Sequence, residues 1–131
     1  MPYEIRFEAG LLRVVFSGAV TNADLAGVAD AAAHVEASWD VVPHRIADLR
    51  SIERLDIDFT GVFAMAEARR HVRLRNPIKT AIIASDLVHF GFARMFQTLN
   101  DHPQITIAIF RGDDQALAWL QSAELGAPIA H

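Results

Sequence analysis

Apolar and polar residues alternate, then recur every three or four positions, then alternate again, and this switching of period predicts most of the elements. "YEIRFEAGLLRVVFSG" reads as two strands joined by a tight turn at Ala9-Gly10, with Ile5 and Phe7 on one face and Glu4, Arg6 and Glu8 on the other. "TNAD" at Thr21 to Asp24 has the form of a capping box, so a helix should follow. Its apolar stripe is Leu25, Val28, Ala32, Val35 and Trp39, in steps of three and four. "HRIADLRSI" is a short buried strand carrying Ile46, Ala47 and Leu49, and the polar "ERLDID" after it reads as a loop. A second helix is expected from near Asp58 to near Asn76, where Pro77 restricts the residue before it.

"IKTAIIAS" is almost continuously apolar, as in a strand inside a covered sheet. "SDLVHFGFARMFQTLND" returns to helix, and "QITIAIFRG" alternates with Ile105, Ile107 and Ile109 on one face. "DDQALAWLQSA" is an amphipathic helix with aspartates at its positive end. The order predicts a single α/β domain over 1–124, a mixed, mostly parallel sheet with an N-terminal β-hairpin and about four helices, followed by a tail at 125–131.

Composition narrows the function classes. A chain of 131 residues, 52% hydrophobic and 21% charged, is sized for one domain with a real core. It has no cysteine, which removes disulfides, thiolate metal sites and cysteine nucleophiles and suits a cytoplasmic location. No stretch approaches the roughly 18 apolar residues that span a bilayer, so no integral membrane segment is expected. The net charge of −4 argues against nucleic acid as a partner. Arg69, Arg70, Arg73, Arg75 and Lys79 cluster along the chain, and this run reads as a solvated helix face rather than a phosphate-binding patch.

Candidate chemistry is sparse. The six histidines, His34, His44, His71, His89, His102 and His131, lack paired metal-ligand spacing and read as isolated surface or boundary residues. There is no nucleophile elbow, phosphate-cradling glycine loop or dinucleotide fingerprint, so no catalytic residue, metal or cofactor is assigned. Asp86 and His89, three apart at a helix start, could pair. The most informative stretch is "LDIDFTGVFAMAEARRHVR", in which Asp58, Thr60 and Gly61 open a helix. Capping by Asp58 explains these residues physically. Presentation of the Thr60 hydroxyl for regulation explains them functionally, because a phosphate there would meet unpaired N–H groups.

The element order, together with Asp48-Leu49 at a strand end and Asp58-Phe59-Thr60-Gly61 at a helix start, resembles the STAS fold, the SpoIIAA-like group related to bacterial anti-sigma-factor antagonists. The resemblance runs from about Tyr3 to Leu120. It implies a regulatory domain that binds a protein partner, a kinase or anti-sigma-like regulator, through the edge around Asp48, Asp58, Thr60 and Gly61, with Thr60 as phosphate acceptor. Phe59 stands where the family has a small hydroxyl residue, and Phe63 where it usually has a second glycine. "FARMFQTLND" followed by a strand and "DDQALAWL" is more similar to a divergent, mostly uncharacterised branch of the same fold. If the resemblance holds, Asp48, Asp58 and Thr60 lie near one another.

A second function class comes from the phenylalanines. Phe59, Phe63, Phe90, Phe92 and Phe96 fall on the two helices flanking Ile78 to Ala84. Phe92 and Phe96 share a face with Val88 while Phe90 points elsewhere, so the helix is apolar on more than one stripe. Core packing, a homodimer contact, and a site for a small apolar or lipid-like ligand at Phe59, Phe63, Phe92 and Phe96 all remain open.

Overall fold

The computed structural model describes residues 2–123. The tail expected at 125–131 lies outside the described residues.

Strands β1 (Tyr3–Glu8) and β2 (Leu11–Thr21) form an antiparallel hairpin, and α1 (Asn22–Ser38) leads to β3 (Arg45–Asp56). Then follow α2 (Phe59–Arg70), β4 (Ile78–Ile83), α3 (Leu87–Leu99), β5 (Ile105–Phe110) and α4 (Asp113–Gln121). The five strands lie in the order β1-β2-β3-β4-β5, and every pair after the hairpin is parallel. This is the mixed, mostly parallel α/β architecture expected from the alternation of periods.

Local chemistry accounts for the boundaries. Ala9 and Gly10 both have positive φ, 54° and 77°, the backbone of a two-residue turn whose twist matches the strands. Thr21 caps α1 through a reciprocal box: its side chain accepts from the Asp24 N–H, while the Asp24 carboxylate accepts the Thr21 N–H at 2.8 Å. Trp39, at the end of the predicted stripe, is the C-cap of α1, and its ring meets Phe7 edge-on at 4.6 Å.

Two segments differ from the sequence expectation. "ERLDID" is not a loop: β3 continues to Asp56, paired with β2 as far as Thr21↔Asp56. Beyond Asp48 this strand has β2 on one side only, because the pairing with β4 ends at Asp48↔Ile83. An edge can be polar, and the sequence there looks like a loop for that reason. The second helix stops at Arg70 rather than near Asn76. Leu74 leaves the helical path to enter the core, and its peptide N–H and C=O are paired by the Gln104 side chain at 3.0 and 2.7 Å. Asn76 likewise pairs both backbone groups of Val42, at 2.8 and 3.0 Å, and these bonds replace a last helical turn.

The sheet separates two cores. Val14, Phe16, Val20, Ile52, Ile82 and Ile107 face the layer formed by α1, α2 and α3. Ile46, Ala81, Ile83 and Ala108 pack under α4 with Ala116, Trp119 and Leu120. Strand β4 is buried along its whole length, as its apolar sequence requires.

Candidate functional site

The Asp58-Gly61 stretch is a helix cap braced by a second helix. The Asp58 carboxylate accepts the Gly61 N–H at 2.9 Å and a bond from the Asn22 amide at 3.1 Å, while the Asp58 N–H reaches Asn22 Oδ1. The bond from Gly61 and that from Asn22 hold the Asp58 carboxyl below its ordinary pKa. Gly61 is required by close approach, since a Cβ there would stand 1.9 Å from Asn22 Oδ1. The start of α1 is thereby joined to the start of α2. Thr60 is exposed in the first turn, beside the exposed rings of Phe59 and Phe63, which stack at 5.9 Å.

Asp48 does not join this group. It lies within β3, level with the last residue of β4, and eight residues of extended chain, roughly 26 Å, separate it from Asp56. Its carboxylate is held by Arg50 at 2.9 Å and Arg13 at 3.5 Å, and both arginines also reach Asp113 at the start of α4. Burial alone would raise the Asp48 pKa. The side-chain and backbone hydrogen bonds from Arg50 and the charge of Arg13 outweigh it, leaving the carboxyl below its usual range. Asp48 therefore ties the sheet to α4, and Asp58 ties α1 to α2.

The four phenylalanines expected to form one surface are divided. Phe59 and Phe63 are 56% and 45% exposed, whereas Phe92 and Phe96 turn inward and line a partly open cavity of about 140 Å³. That cavity lies between the sheet and α1, α2 and α3. Val14, Phe16, Ile82 and Ile107 come from the strands, Val28 and Met65 from α1 and α2. Arg45 and Arg69 also line it, with Thr80 and Asn100.

Those two arginines share one carboxylate. Glu36 on α1, 3% exposed, accepts Arg45 Nη2 at 2.8 Å and Arg69 Nη1 at 2.7 Å, and Arg69 Nη2 also contacts it. The basic run is a solvated face only in part, with Arg70, Arg73 and Arg75 exposed. Arg69 and Lys79 are buried, on opposite sides of the sheet, while Arg70 pairs with Glu67 and Asp101, and Arg75 with Asp40 and the α1 carboxyl end. Glu36 and Arg69 are 33 residues apart, so no local spacing signals their pairing.

The rings of two histidines, half-buried His44 and buried His102, bond to backbone, and a third, His89, is buried. His44 Nδ1 accepts the Lys79 N–H at 2.8 Å, and burial, with the charges of Lys79 and Arg45, lowers its pKa. Buried His102 bridges the Val72 carbonyl and the Gln104 N–H. The backbone N–H of buried His89 is capped by Asp86 at 2.8 Å; its ring Nδ1 stands 3.2 Å from Asp86 Oδ2 without hydrogen-bond geometry. His34 and His71 are exposed, and His131 lies outside the described residues. Among the described residues no group of three or more His, Asp or Glu is arranged to hold a metal ion, and no helix is long and apolar enough to cross a membrane.

No family model matches the chain, and no curated protein matches it.

Proposed function

We propose that the chain is a non-enzymatic binding domain that holds a small apolar molecule between its sheet and the layer of α1, α2 and α3. The observation that carries this reading is the cavity of about 140 Å³ lined mainly by aliphatic and aromatic side chains. Protein interiors are close-packed, and an unfilled apolar pocket leaves its lining short of contacts. A cavity of about 150 Å³ with a similar lining in another protein accepts benzene. An occupant would restore the missing contacts. Phe92 and Phe96 belong to this site; Phe59 and Phe63 do not.

A second reading follows the resemblance to the STAS fold, with a cytoplasmic protein partner docking at the start of α2. Exposed Thr60 beside the stacked pair Phe59 and Phe63 favours it. A phosphate on Thr60 would compete with the Asp58 carboxylate for the N–H groups of the first turn and would repel it, loosening the Asn22–Asp58 brace. This gives the proposed switch a mechanical consequence at α1.

Native mass spectrometry of the protein isolated from its own host, followed by a denaturing spectrum, separates the two. A small molecule lost on denaturation from an unmodified chain is the result expected for the cavity. A covalent phosphate on Thr60 with no bound molecule would favour the regulatory surface instead.

A further inference from the structure

The buried cluster at the cavity wall is out of charge balance. Arg45 and Arg69 bring two cations, and among the described residues Glu36 is the single carboxylate bonded to them. Among those residues Arg45 Nε also has no hydrogen-bond partner. Such a donor is costly to leave unmade. Burial first of all lowers the Arg45 pKa; the charge and hydrogen bond of Glu36 oppose the shift, and the Arg69 charge adds to it. Both arginines line the cavity, and Arg45 stands opposite Thr80 in the parallel register, so polar groups gather where β3 and β4 begin. The lining from Val20 and Ile52, further along the strands, is apolar.

We propose, on the reading of this cavity as a ligand site, that the ligand class is a small monocarboxylate. Its apolar body fills the space against Ile82, Ile107 and Phe96, and its carboxylate meets Arg45 and Arg69. Two guanidinium groups then face two carboxylates, one from Glu36 and one from the ligand. A neutral apolar molecule would leave the excess cation uncompensated, and a dianion would overshoot it. Planar guanidinium forks suit carboxylate geometry. The cavity volume limits the body to about the size of a benzene ring or a short branched chain.

The test uses the full chain with labelled isoleucine methyl groups and arginine side chains, titrated separately with benzoate and with its neutral isostere toluene at neutral pH and constant ionic strength. Both ligands are expected to shift the methyl resonances of Ile82 and Ile107. Benzoate alone is expected to shift the Arg45 Nε–H resonance and to bind about tenfold tighter or more, the difference one charge-assisted contact supplies. Arg45→Met should erase that preference, so that benzoate binds it no tighter than toluene does. Toluene binding as tightly as benzoate, an unmoved Arg45 resonance, or a preference that survives in a folded Arg45→Met variant would each overturn the carboxylate assignment with the cavity reading intact. If neither ligand moves the methyl resonances, the cavity reading falls and the assignment with it.

Discussion

Lys79, on the α4 side of the sheet, and Arg45, on the side covered by α1, α2 and α3, are both buried cations, but their surroundings differ. Lys79 Nζ donates to the carbonyls of Trp119 and Ser122 at 2.8 Å each and to Ser122 Oγ at 3.2 Å, and it lies 5.2 Å from the Trp119 ring centre. All three donor directions of its ammonium are used, and they hold the carboxyl end of α4, where a cation is favoured. Among the described residues Arg45 shares a single carboxylate with Arg69, and its buried Nε makes no hydrogen bond. The α4 side is finished by the chain's own atoms. The opposite side leaves one buried donor unpaired, and on the ligand reading proposed above this difference separates a structural charge from a recognition charge.

The largest effect that sharpens the contrast is expected from Glu36→Gln. It strips the carboxylate from two buried guanidinium groups and should destabilise the fold by about 3–5 kcal/mol in denaturant unfolding. Lys79→Met should cost about 1.5–3 kcal/mol, because the terminal carbonyls of α4 lose a charged donor. Arg45→Met, which removes the excess cation, should stay within about 1 kcal/mol of wild type or stabilise. A loss from Arg45→Met as large as that from Lys79→Met would erase the distinction between the two sides.

Smaller effects test the brace at the start of α2. Asp58→Ala should lower the unfolding midpoint, by less than Lys79→Met does, through loss of the cap. Gly61→Ala should destabilise the wild type, because the new Cβ displaces Asn22 from Asp58, yet should stabilise an Asn22→Ala background through helix propensity. Equal effects of Gly61→Ala in both backgrounds would show that the close approach is unimportant.

The smallest expected effect is a pH dependence at His44. Its folded pKa lies below the unfolded value of about 6.5, so the unfolded chain binds the extra proton first. The contribution is fully present above about pH 6.5 and is lost as pH falls from there through the depressed folded value. His44→Gln should flatten that part of the stability profile without shifting the acid limb set by Asp48 and Asp58, whose carboxyls are both depressed.

The fold was largely legible in the sequence because hydrophobic period is local: the hairpin turn at Ala9-Gly10, the Thr21 capping box and the buried run Ile78 to Ile83 can each be read within a few residues. Glu53 to Asp56 was not legible as strand, since only β2 pairs with it and its outer edge stays polar. Pro77 set an outer limit for α2, but the burial of Leu74 and the side-chain bonds of Gln104 end it sooner. The cap at Asp58 was readable from its spacing. The cluster of Glu36, Arg45 and Arg69 was not, because its members are brought together by tertiary packing from α1, β3 and α2 and carry no spacing signal. Half of the candidate phenylalanine site survives as cavity lining for the same reason: only packing decides which ring turns inward.

The most direct test of the central claim is a titration of the wild-type chain with toluene, followed through the methyl resonances of Ile82 and Ile107, which line the cavity. Saturable shifts at both, with the resonance of Ile83 on the α4 side unmoved, are the predicted result. Methyl resonances unchanged up to the solubility limit of toluene would contradict the assignment of this interior space as a binding site.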